Sequence, residues 1–299
     1  KQPPLNTTMM GVLKSAADYH GLGLSEPMVF GMSGHAFLIN VHEQICPSGP
    51  YCWEMSAFLR LVRNIGLEAT DLGFFHAGSS AAERSELEER LRAGIERGVV
   101  SSLVNMENQL ILGYDDQRFL TARPWPNCTD FPPGTLTFGT WAELGEEMHA
   151  NFFQWRRSEP SDAPTRLRDA LTHAVSLFRE PRRHAFAGYG VGPDAYDLWL
   201  GALPEHGASH GNWWNATVWA ECRQMASRYL AESAEDLAGA SADRARRLAD
   251  AYARVSDGLA CAADRELPLT EKASLLQRLK ADELAAIADV ERLLQSLPA

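Results

Sequence analysis

Three sets of side chains in this sequence are of types that can do chemistry. The first begins near residue 6, where Asn6, Thr7 and Thr8 form a polar turn ahead of a helical pattern that runs to Asp18-Tyr19-His20-Gly21. A threonine hydroxyl there becomes a nucleophile only beside a strong base. Glu107, at the head of the apolar run Leu110-Ile111-Leu112, could be that base if burial raised its pKa towards neutrality. The plainer role for Thr7 or Thr8 is to cap the helix by accepting a backbone N–H bond, which stabilises by about 1 kcal/mol.

The second set centres on Cys52, in Ser48-Gly49-Pro50-Tyr51-Cys52-Trp53-Glu54-Met55-Ser56-Ala57. In the first turn of a helix its thiolate would be favoured by the helix dipole. It would still need an imidazole from His35, His42 or His76, and the alternative is a buried structural cysteine. Read as metal ligands, His35, His42, Cys46 and Cys52 are spaced seven, four and six residues apart, which matches no familiar zinc pattern. No metal or cofactor is expected. The third set is aromatic: Trp199, Trp213, Trp214 and Trp219, interleaved with His206, His210, Asn212 and Asn215. Such residues either line a ligand pocket or lock helices together.

The polar turn and helix ending in Tyr-His-Gly, followed later by Glu107-Asn108-Gln109-Leu110-Ile111-Leu112-Gly113-Tyr114-Asp115-Asp116, resemble the papain-like fold. The likeness is to bacteriocin-processing cysteine peptidases and butirosin-type acyltransferases. Phe30-Gly31-Met32-Ser33-Gly34-His35-Ala36-Phe37 is similar to a Gly-rich stretch that butirosin-type relatives carry after their first helix. The resemblance covers about half the chain. It implies a Cys opening the helix, a His opening the strand and an Asp or Asn on the next strand. Those positions fall here on Thr7 or Thr8, on Glu107 and near Arg123. Ser48 to Ala57 also resembles the Cys-Trp-x-x-Ser-Ala run of papain itself.

The elements that must position these residues divide the sequence. In the first half, helices are expected over Thr8 to Tyr19, Tyr51 to Ile65 and Ser79 to Arg97. Strands are expected over His35 to Val41, Val99 to Asn105, Leu110 to Tyr114, Phe119 to Ala122 and Thr135 to Phe138. From Pro164 onward helical periods predominate, over about 165–178, 194–202, 215–231, 242–263 and 270–297. The proline-rich Ser158 to Pro164 reads as the boundary. The fold class is α+β: a papain-like N-terminal half with an antiparallel sheet (1–158), then an all-α helical bundle (164–299). The segment from Gly188 to Trp219 is expected to pack against the front half, burying at least two of its tryptophans.

Composition narrows the partners. A net charge of −11, with short arginine clusters interspersed with acids, argues against nucleic acid and anionic membrane. No apolar run approaches the roughly 20 residues of a membrane helix, and the first residues contain no signal-peptide core. Five scattered cysteines without a Cys-x-x-Cys pair suit a reducing cytoplasm. The expected function is binding of a small molecule or peptide by a papain-like unit without its triad. Asn6, Thr7, His35, Glu107, Trp213 and Trp214 are the expected ligand contacts. The alternative is an acyl or amide transferase or hydrolase using Cys52 or a Thr/Glu pair drawn from Thr7, Thr8 and Glu107.

Overall fold

The computed structural model describes residues 1–125, 127, 128 and 130–297. Pro298 and Ala299, at the end of the expected bundle, lie outside the described residues. In chain order the elements are α1 (Thr8–Tyr19), α2 (Glu26–Met32), β1 (Asn40–His42), α3 (Ser56–Leu61), β2 (Leu67–His76) and α4 (Ala81–Glu96). There follow β3 (Val100–Asn105), β4 (Glu107–Tyr114), β5 (Arg118–Thr121), β6 (Thr135–Thr137) and β7 (His149–Arg157). The remainder holds α5 (Ala163–Arg179), β8 (Tyr189–Val191), α6 (Pro193–His206), α7 (His210–Ser233), α8 (Gly239–Ala262) and α9 (Leu269–Ser296).

The chain forms two compact units, and neither is continuous in sequence. The first comprises residues 1–25 and 66–160, the second residues 26–65 and 161–299. This differs from a division at 158–164, because residues 26–65 belong with the later helices. The chemistry of that segment explains the difference. Gly31 on α2 lets the helix meet α7 closely: a Cβ there would lie 2.0 Å from the Tyr229 ring. Asn215 on α7 donates to the Cys46 carbonyl at 3.0 Å, and Arg223 donates to the carbonyls of Ala36 and Leu38. The expected strand at His35 to Val41 is instead a 3₁₀ turn, His35–Phe37, leading into β1, which pairs antiparallel with β8. An apolar run buried on all sides carries no period that distinguishes the two.

The first unit is an antiparallel sheet in the order β2-β7-β3-β4-β5-β6. Helix α4 covers it through Leu87 and Leu91, which join Leu103, Ile111, Phe119, Leu136 and Phe152 in one core. The helix starts at a capping box, Ser80 and Glu83 bonding each other's backbone. Those bonds hold the Glu83 carboxyl below its ordinary pKa. Glu88, buried on α4, accepts from Trp141 Nε1 at 2.9 Å and from Gly139 N at 2.6 Å, pinning the loop after β6. Replacing Glu88 with Ala orphans both donors. The expected loss is roughly 2–6 kcal/mol, from about 1–3 per group, read as a lower urea midpoint.

The second unit is helical apart from the β1–β8 ribbon. Helix α7 packs on α8 and α2, and α9 packs on α8, α5 and α6. Four tryptophans are buried within it: Trp53, Trp199, Trp214 and Trp219. Trp199 Nε1 donates to Asn212 at 2.8 Å, Trp214 Nε1 donates to the Tyr51 hydroxyl at 3.0 Å, and Trp219 lies 6.5 Å from the His35 ring. All of these partners lie inside the same unit. No helix among the described residues is long and apolar enough to cross a membrane.

Candidate functional site

Strand β4 departs from the alternation of a half-exposed strand. Its first five residues, Glu107 to Ile111, are all buried, and the first three are polar. Buried polar groups need partners, and the N-terminus of α1 supplies them. Thr8 Oγ1 donates to Glu107 Oε2 at 2.8 Å. The same oxygen accepts from Asn108 N at 3.0 Å and from Asn108 Nδ2 at 3.3 Å. Gln2 completes the junction: its Nε2 donates to the carbonyls of Asn108 (2.8 Å) and Thr8 (3.4 Å), and its Oε1 accepts from Leu110 N at 3.0 Å. Gln109 Nε2 reaches the carbonyls of Ala122 and Pro133, both at 2.7 Å.

Thr8 and Glu107, paired through the family resemblance, therefore do face each other. The chemistry of the pair is limited by saturation. The hydroxyl gives its one proton to Glu107 and takes protons on both lone pairs, at 1% exposure. Nor does either threonine cap the helix as expected. Thr7 occupies the cap position but makes no side-chain capping bond, and Thr8 is already helical and turns its hydroxyl to the strand. Asn6 is half-buried beside them. Arg123, at the third triad position, is exposed, and its Nε donates to the Pro132 carbonyl at 3.1 Å. It lines a recess of about 500 Å³ with Lys1, Gln2, Leu112, Thr121 and Thr135 among the walls.

The remaining expected contacts, His35, Trp213 and Trp214, belong to the other unit. His35 is a core residue. Its ring sits 5.5 Å from Trp53 and 5.6 Å from Phe58, and neither ring nitrogen has a partner among the described residues. Burial, then the nearby His173 and Arg223, pull its pKa down to about 3. The unfolded chain binds this proton below about pH 6.5 while the folded protein does not until about 3, so stability falls as the pH drops through that window. At about 1.4 kcal/mol per pH unit, the loss from His35 is on the order of 2 kcal/mol at pH 5. Urea midpoints at pH 7 and pH 5 measure it, and His35→Phe narrows the gap between them.

Trp213 is half-buried, with its ring against Trp214 at 5.5 Å and under the Arg265 guanidinium at 5.5 Å. Cys52 does not sit in a helical first turn, because α3 begins only at Ser56. The dipole argument for its thiolate therefore lapses. Its carbonyl accepts from Asn40 Nδ2 at 3.0 Å. His42, the nearest candidate imidazole in sequence, stacks edge-on against Tyr189 at 4.9 Å. Among the described residues no three His, Cys, Asp or Glu side chains converge as a metal site would require.

Gln2 was not legible as a site residue, although the polar triplet Glu107-Asn108-Gln109 inside an apolar strand was a signal that something must satisfy it. Comparisons of the chain with protein-family models, with curated proteins and with solved structures return no match.

Proposed function

We propose that residues 1–25 and 66–160 form a papain-like unit that has given up peptidase and acyltransferase chemistry and binds a small anionic molecule or a peptide carboxylate. The observation that carries this reading is the Thr8–Glu107 contact. A helix-opening residue and a strand-opening residue meet at 2.8 Å, where the resemblance implies nucleophile and base, yet the hydroxyl is saturated and neither residue is a thiol or an imidazole. Gln2 reinforces it, because its amide is spent on the backbone of α1 and β4 rather than free to hold a reacting carbonyl. The adjoining recess offers the Arg123 guanidinium and the Lys1 side chain, and a guanidinium pairs with a carboxylate through two parallel bonds.

The test pairs binding with turnover. A panel of short carboxylic acids and dipeptides is screened by thermal shift. A binder present at about 100 times its Kd adds roughly 2.7 kcal/mol of stability, and Arg123→Ala is expected to abolish the gain. Turnover of peptides or acyl thioesters that disappears in Thr8→Ala would overturn the reading. So would a panel in which no carboxylate binds.

A further inference from the structure

The second unit holds a nucleophile–base pair that none of the residues discussed so far uses. Helix α5 presents Asp169, Thr172, His173 and Ser176 along one stripe, at the spacing of successive helical turns. They line a recess of about 390 Å³, closed on its other side by Glu54, Arg60 of α3, Arg183 and His184. Within this lining Ser176 Oγ lies 2.8 Å from His184 Nε2. His184 is held from both directions: its N–H bonds the Pro181 carbonyl at 3.0 Å, and its own carbonyl accepts from Glu54 N at 3.0 Å. The other ring nitrogen, Nδ1, is buried and has no partner among the described residues. A buried orphan on a ring already bonded to a serine calls for an explanation beyond packing.

We propose that Ser176 and His184 form a catalytic pair that transfers the acyl group of small carboxylic esters through a Ser176 ester. His184 Nε2 takes the Ser176 proton as Oγ bonds to the ester carbon, and the carbonyl π pair moves onto its oxygen. When that oxygen re-forms the carbonyl, the ester C–O bond breaks and the leaving alkoxide takes the proton from Nε2. Water repeats the two steps in the second half, its proton passing through His184 back to Ser176 as the acid is released. The guanidinium of Arg60, which makes no ion pair among the described residues, is the wall group able to meet the developing oxyanion.

The electrostatics suit a base. Burial first, then Arg183, lowers the pKa of His184, against the opposing pull of Glu54 and Glu180, so the ring is neutral at pH 7. His173 stands edge-on to it at 5.3 Å and is itself held neutral, its pKa brought down to about 3 by burial, with His184 and Arg60 adding to the effect. It therefore does not repel the imidazolium that forms on His184 during reaction. Glu54 favours that cation.

The experiment treats the full chain with a fluorophosphonate probe and follows hydrolysis of p-nitrophenyl acetate. A single adduct is expected, located on Ser176 by peptide mass spectrometry and absent in Ser176→Ala. Hydrolysis is expected to fall by about 100-fold or more in Ser176→Ala and in His184→Gln, with the folded state checked by circular dichroism. In the parent its rate rises with pH through an apparent pKa below 6.5. Loss of both signals in Ser176→Ala, a change confined to the second unit, separates this outcome from the proposal for the first unit. Labelling elsewhere than Ser176, or hydrolysis that survives Ser176→Ala in a folded protein, would overturn the pair. If His184→Gln does not fold, Ser176→Cys replaces it: iodoacetamide must then alkylate Cys at 176 with a pH midpoint below the ordinary thiol value of about 8.5, and a midpoint at or above that value overturns the base role.

Discussion

Removing Arg223 is expected to unfold the second unit under conditions in which the parent is stable. Arg223 and Glu283 are both fully buried and form a two-pronged pair, α7 to α9. The guanidinium also donates to the carbonyls of Ala36 (3.0 Å) and Leu38 (2.7 Å), tying down the turn that leads into β1. Burial alone would lower the arginine's pKa. The Glu283 carboxylate and its hydrogen bonds more than reverse that, so the ion pair persists. Deleting one partner leaves the other charged and buried, at a cost of about 3–5 kcal/mol. For Arg223→Ala two backbone carbonyls are orphaned as well. Arg223→Met with Glu283→Leu is expected to recover part of the loss, because apolar replacement of both charges avoids the desolvation cost, although the two carbonyls stay unpaired. Urea unfolding of the two single variants and the double variant measures this. A single variant within about 1 kcal/mol of the parent would contradict the role assigned to the pair.

The second large effect is expected at Thr8. Thr8→Val keeps the shape of the side chain and deletes its hydrogen bonding. Asn108 N then loses its partner in a buried strand, and Glu107 loses the proton it accepts. Two such losses at about 1–3 kcal/mol each give roughly 2–6 kcal/mol. Thr8→Ser restores the hydroxyl and should return most of it. Hydrogen exchange at Asn108 reads the change locally: its amide is expected to be protected in the parent and in Thr8→Ser, and to exchange faster in Thr8→Val. If Thr8→Val were neutral, the junction of α1 and β4 would not depend on this hydroxyl.

The sequence made some of this readable and hid the rest for identifiable reasons. The long later helices announce themselves through sustained periods and breakers such as Pro181 and Pro268, and their observed limits fall within a few residues of the expected ones, α7 starting earliest. Helix α2 and strands β2 and β7 went unread. Strand β2 carries a bulge between Asp71 and Gly73 that interrupts its alternation, and β7 contains the run Phe152-Phe153-Gln154-Trp155, buried on both faces. Tyr51 to Ile65 reads as one helix but contains only six α-helical residues, Ser56–Leu61. The Thr8–Glu107 meeting was an expectation of the resemblance alone, which sets a helix-opening residue against a strand-opening one. The assignment of His35 and Thr7 to different units was not legible, since a period identifies an element without naming what it packs against. Ser176 and His184 lie eight apart across the break at Pro181, a distance at which neither helical nor strand spacing brings side chains together.

The alternation of the chain between its two units, at residues 25/26, 65/66 and 160/161, bears on how the protein is made. Residues 26–65 leave the ribosome with Phe30, Phe37, Ile39 and Phe58 bound for burial against helices that have not yet been synthesised. Residues 66–160 must be translated in between. During that interval the first unit can close its sheet while the early strand-and-turn segment waits as an unfolded loop between α1 and β2, its apolar groups open to chaperones or to another nascent chain. Translation stopped near residue 160 would leave such a loop permanently unfilled, and no single cut of the finished chain releases either unit whole.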